Sequence, residues 1–217
     1  MKWLRKHKAV VVLVVAGVLS SVFIGRYALF YQAMYRGWLN QVKTTELHEK
    51  VSVLIHNIEL YITEEQSDSE RSLRFMYENA NQCEQAIKQL TSFCEFVVTE
   101  RGNLGLSKDM TYHNRISSES FPGLVKTSDN LTQGLRIFQG VLGCCMDDGL
   151  TVEDDKQLKK YLSMVVQQFD TLSTALMEHD FTETEGDIEF IACYLCFLDE
   201  SDVIALDLLS AIRGFEG

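Results

Sequence analysis

The stretch LHEKVSVLIHNIELY, residues 47–61, places Leu47, Val51, Leu54, Ile58 and Tyr61 at steps of four, three, four and three. An α-helix turns once every ~3.6 residues, so this spacing holds one apolar face toward a partner; a strand would alternate at every second residue. Ile55 and Ile62 widen the face. Three later segments repeat the pattern. The second runs through Leu73, Met76, Ala80, Cys83, Ile87, Leu90, Cys94 and Val97, and the third through Leu124, Ser128, Leu131, Leu135, Phe138, Leu142 and Cys145. The fourth is Leu158, Leu162, Val165, Phe169, Leu172 and Leu176. Successive stripes of this kind predict an all-α fold, an antiparallel four-helix bundle. The chain holds one Pro, which agrees, because an internal Pro costs a helix roughly 3 kcal/mol.

Local signals mark the helix ends. Ser67 with Glu70, and Thr151 with Asp154, are spaced as capping boxes ahead of the second and fourth helices. Pro122 suits a first helical turn. Thr182 with Glu185 opens a further segment containing Ile188, Ile191, Leu195 and Leu198; the DESD run at 199–202 interrupts it. Ser201 is placed to cap a last short helix through Leu206, Leu209 and Ile212. Short links near 63–69 and 146–152 imply two hairpins, and the link from Arg101 to Ser120 is longer and polar. In the third helix Gly134, Gly140 and Gly143 weaken the segment unless they admit a closely packed neighbour.

Ahead of the bundle, residues Ala9 to Gly25 read AVVVLVVAGVLSSVFIG, 17 positions without a charge. At ~1.5 Å per residue this falls slightly short of a ~30 Å hydrocarbon core. Tyr27, Leu29, Phe30 and Tyr31 extend it with residues suited to the lipid interface. A cleaved signal peptide has a shorter apolar run ending at small residues, and here apolar residues continue past Ser20, so an uncleaved single-pass anchor is expected. The chain divides accordingly into a basic tail (1–8), a transmembrane helix (9–31), the bundle (32–181) and a C-terminal helical extension packed on it (182–217). The bilayer is the partner of residues 9–31. Lys2, Arg5, Lys6 and Lys8 precede the span and favour a cytoplasmic N-terminus with the bundle outside the cytoplasm. Both hairpin tips then lie far from the membrane, and the long link lies near it.

Charge narrows the function classes. The total is −11, and since the first eight residues carry +4, the remainder carries −15. Such a body repels phosphate backbones and excludes nucleic-acid binding. The five histidines form no HExxH and no Glu-x-x-His motif. GxSxG, SxxK and phosphate-loop patterns are missing too, so neither enzyme activity nor a cofactor is expected. Cys193 and Cys196 form a CxxC, but adjacent Cys144 and Cys145 make a poor second half-site for zinc. Cys83, Cys94 and Cys145 fall on stripes and read as small core hydrophobes. Asn130-Leu131-Thr132 matches a glycosylation sequon but lies on a helix stripe.

Two acidic turns remain. Glu64, Glu65, Asp68 and Glu70 surround the first hairpin turn; Asp147, Asp148, Glu153, Asp154 and Asp155 surround the second. Helix N-termini attract carboxylates through the helix dipole. Brought together, these nine would also form an anionic tip for a cationic partner. The expected function is that of a membrane-anchored scaffold, adaptor or assembly factor of the cell envelope, acting through contacts with another membrane protein or a second copy of the chain. The alternative is a bundle that senses a ligand and signals through a membrane partner. In layout alone the chain resembles the membrane-anchored four-helix sensory domains of bacterial receptors, without their second span or cytoplasmic signalling module. A buried polar cluster would favour sensing; a wholly apolar core with an exposed apolar patch would favour a partner interface.

Overall fold

The computed structural model describes residues 8–63, 69–103, 121–147, 149–179 and 187–216. All-helical architecture is borne out: seven α-helices and a short 3-10 turn occur, with no strand among the described residues. The chain forms two compact units that divide after Asn40.

The first unit is the greater part of α1 (Lys8–Thr45). Its window Val10–Leu29 spans 20 residues with mean hydropathy 2.1, and none of it is buried within the protein. Twenty residues rise about 30 Å, the thickness of a bilayer core. Ser21 Oγ donates to the Gly17 carbonyl at 2.8 Å. A polar side chain in an apolar setting needs such a partner within its own helix.

The second unit holds α2 (Leu47–Thr63), α3 (Ser69–Asn103), α4 (Phe121–Asp147), α5 (Val152–Glu178), α6 (Asp187–Glu200) and α7 (Asp202–Arg213). Glu46 breaks the chain between α1 and α2 with a φ of 31°. Every described residue of the first, second and fourth stripes is buried except Ile62, which is half-buried. On α4 the stripe is buried from Leu124 to Leu142, and Cys145 is half-buried. Helix α3 packs on both α2 and α4, and α2 also packs on α5.

The C-terminal helices join this core. Helix α7 packs on both α4 and α5. An ideal Cβ built on Gly134 of α4 would stand 3.4 Å from Ile212 Cδ1 and 3.9 Å from the Leu209 Cα. That glycine marks a close approach of two helices; Gly140 and Gly143 have no such neighbour. Consecutive α4 and α5 meet through side chains, with the Phe138 and Phe169 rings edge to face at 5.7 Å. Helix α6 buries Phe190, Ile191, Tyr194, Leu195, Phe197 and Leu198, which share one face at helical spacing. Its other side carries half-buried Ala192, Cys193 and Cys196 and exposed Asp199 and Glu200.

The turn into α5 follows its sequence signal. Gly149 takes a φ of 68°, where a side chain would be strained, and Thr151 with Asp154 closes a full capping box. Pro122 stands in the first turn of α4. Ser201 departs from expectation. It precedes α7 at the cap position but makes no side-chain cap bond, because its φ and ψ of −90° and 5° stay near the helical region. Its hydroxyl is buried without a partner. Ser67, Thr182 and Glu185 lie outside the described residues.

Candidate functional site

On α3, the side chains of Glu84, Lys88, Thr91 and Glu95 follow one another at steps of three or four and share a face toward α4. Glu84 sits at the bottom of that face, only 4% exposed. Its Oε1 accepts from Arg136 Nε and Nη2 at 3.2 and 3.0 Å, and its Oε2 accepts from Gln139 Nε2 at 2.8 Å. Lys88, one turn along, pairs with the same Oε1. Burial acts to raise the Glu84 pKa, but the bonds from Lys88, Gln139 and Arg136 together outweigh it and hold the carboxyl below its ordinary range. The two cations keep much of their surface in water: the Lys88 and Arg136 side chains are 39% and 64% exposed.

Two turns further along α3, the Thr91 and Ser128 hydroxyls meet at 2.7 Å, and Thr91 also meets the Tyr194 hydroxyl at 3.0 Å. Tyr194, on α6, donates in turn to the Ile87 carbonyl at 3.4 Å. It is fully buried, and that burial pushes its phenol far above the usual range. Three hydroxyls from three helices therefore form a polar floor. Above it lies an open groove of about 390 Å³ between α3 and α4, lined among others by Lys88, Thr91, Glu95, Ser128, Asp129 and Arg136. That volume falls within the range of small-molecule sites. The lining offers charges, hydroxyls and amides. No group of three His, Cys, Asp or Glu is placed to hold a metal ion among the described residues. Binding is the chemistry this lining suits.

The acidic turns divide differently. Tyr61, near the end of α2, donates to Asp155 Oδ1 at 2.7 Å in the first turn of α5, so the described flanks of the two turns do come together. Asp155 itself is a correction to the expected tip. It is buried, holding Tyr61 and an ion pair with Lys159 at 3.5 Å, because a tyrosine 94 residues away in the chain covers it. Asp154 is engaged in the cap of α5. Glu70, Asp147 and Glu153 are exposed, and Glu64, Glu65, Asp68 and Asp148 lie outside the described residues. Of the six cysteines, Cys83 and Cys94 are buried, Cys144 is exposed, and Cys145, Cys193 and Cys196 are half-buried. Of the histidines, His179 contacts Glu200 at 2.8 Å, His48 stands 3.5 Å from Ser52 Oγ, and His56 is exposed.

Comparison with known protein families, with characterised proteins and with solved structures finds no match to this chain.

Proposed function

We propose that this chain is a single-pass, membrane-anchored antiparallel helical bundle that binds a small polar ligand in the groove between α3 and α4. The observation that carries the proposal is the Glu84 cluster, together with the hydroxyl floor beside it, at the edge of an open cavity. Helix packing alone gives no reason for this chemistry, since apolar residues of similar volume commonly replace a buried ion pair without loss of stability. Antiparallel pairing of α3 and α4 is supported by the order of their contacts, Glu84 with Arg136 and Gln139 but Thr91 with Ser128. Tyr194 joins the floor to α6, so a ligand that displaces the Thr91–Ser128 contact would also move that helix.

The scaffold reading has narrower support. Two of its nine tip carboxylates, Asp154 and Asp155, are engaged within the fold. Anchorage rests on the unburied Val10–Leu29 window, which water would solvate poorly. The basic residues before it support a cytoplasmic N-terminus and an extracytoplasmic bundle.

Full-length protein should stay in the membrane pellet after a carbonate wash. Purified in detergent, it should be thermally stabilised by at least one member of a defined library of amino acids, short peptides, carboxylic acids and sugars. Ser128→Leu, which fills the floor, should abolish that response. If every stabilising compound acts equally on Ser128→Leu, the groove is not the binding site.

A further inference from the structure

The groove has two electrically distinct ends. Lys88 precedes Glu95 by seven residues on α3, whereas Asp129 precedes Arg136 by seven on α4. The contacts that ascend α3 descend α4, so the two cations share one end and the two carboxylates share the other. Seven residues of helix place the ends about 10 Å apart. At the cationic end Glu84 offsets one of two positive charges, leaving exposed guanidinium and ammonium donors. At the other end, Glu95 and Asp129 are exposed and have no ion-pair partner among the described residues. Between them the lining is neutral and hydrogen-bonding: Thr91, Ser92, Ser128, Thr132 and Gln133.

We propose that the groove takes a short peptide with free termini, its carboxylate on Lys88 and Arg136 and its ammonium on Glu95 and Asp129. The proposal rests on the groove being a binding site and names what it binds. Extended chain advances about 3.3–3.6 Å per residue, so three residues span the ~10 Å between the ends. A free amino acid is too short to reach both. The amide groups of a tripeptide meet the hydroxyls and the Gln133 amide midway, and a molecule of that size suits the cavity of about 390 Å³. Opposed charges at the two ends also fix direction, because a reversed peptide meets like charge at both.

Calorimetric titration of the full-length protein in detergent micelles tests this with four probes: trialanine, N-acetyl-trialanine, trialanine amide and alanine. Trialanine should bind, and blocking either terminus or shortening to alanine should weaken binding by roughly tenfold or more. The charge variants should act selectively. Glu95→Gln with Asp129→Asn should erase the penalty for N-acetylation while keeping that for amidation; Arg136→Gln should do the reverse. These are exposed side chains, and retained helicity confirms that the variants fold. Equal binding of all four probes would overturn the two-ended recognition. Failure of trialanine, alongside stabilisation by another compound that Ser128→Leu abolishes, would overturn the ligand class and keep the groove. Failure of every compound would remove both.

Discussion

Replacing Glu84 by Gln keeps the shape of the side chain and removes its charge. Three partners converge on the native carboxylate, and their exposures decide the cost. Lys88 and Arg136 have side chains 39% and 64% exposed, so they return to water when the charge is gone. Each such pair contributes about 0.5–1 kcal/mol. Gln139 is 7% exposed and cannot recover a lost acceptor from solvent. The new amide has one oxygen for Gln139 and turns its NH₂ toward the donors of Lys88 and Arg136, a mismatch worth about 1 kcal/mol or more. The sum is roughly 2–3 kcal/mol, and for a domain of this size that lowers Tm by about 4–12 °C. The effect depends on pH in a defined direction. A carboxyl whose folded pKa is depressed contributes stability above its unfolded value, about 4.3, and loses it as pH falls through the folded value. The difference in Tm between wild type and Glu84→Gln, followed by far-ultraviolet circular dichroism, should therefore be full at about pH 7 and shrink toward about pH 3. Equal melting at neutral pH, or a gap undiminished in acid, would refute a stabilising role for the buried charge.

Other perturbations separate further parts of the fold. Gly134→Ala places a Cβ at ordinary contact distance from Ile212 and should raise stability by up to about 1 kcal/mol through helix propensity. Gly134→Leu should instead lower it by about 1–3 kcal/mol by forcing α4 from α7, and denaturant unfolding of the pair reads both signs. Tyr61→Phe removes the donor to buried Asp155 and should cost about 1–2 kcal/mol in the same assay, whereas Asp155→Asn keeps an acceptor and should cost less. Maleimide should label exposed Cys144 first. Cys83, whose thiol burial pushes up to about 12, and Cys94, raised further by burial, should react last.

The stripes from Leu47 to Leu176 were readable because helical periodicity reports which face is buried. The same signal does not say against what. Helix α7 carries a clear stripe at Ala205, Leu208, Leu209 and Ile212, yet nothing local announces that it packs on both α4 and α5. Gly134 was the nearest clue, a glycine within an otherwise good helix. In α6 the spacing of Phe190, Ile191, Tyr194, Leu195, Phe197 and Leu198 marks the buried face in the same way. The Glu84 cluster was legible only by half. Its pairing with Lys88 is an ordinary i,i+4 contact, but Arg136 and Gln139 stand 52 and 55 residues away, and their arrival depends on the register of two helices. Asp155 misled for the same reason: a carboxylate in a first helical turn looks solvated until a distant tyrosine covers it.

The place of α7 has a consequence for how the polypeptide is made. Thr127 on α4 bonds Asp202 at the start of α7, a partner 75 residues later in synthesis. At roughly 5–20 residues per second, the ~60 residues from the start of α5 to the end of α7 take about 3–12 s to emerge, long after α2, α3 and α4 can have paired. During that interval the Gly134 side of α4 and the neighbouring flank of α5 present bare hydrocarbon to their surroundings. A growing chain in this state is open to sticking, to premature proteolysis and to capture by chaperones. The helix that completes the core is also the one that ends the period of risk.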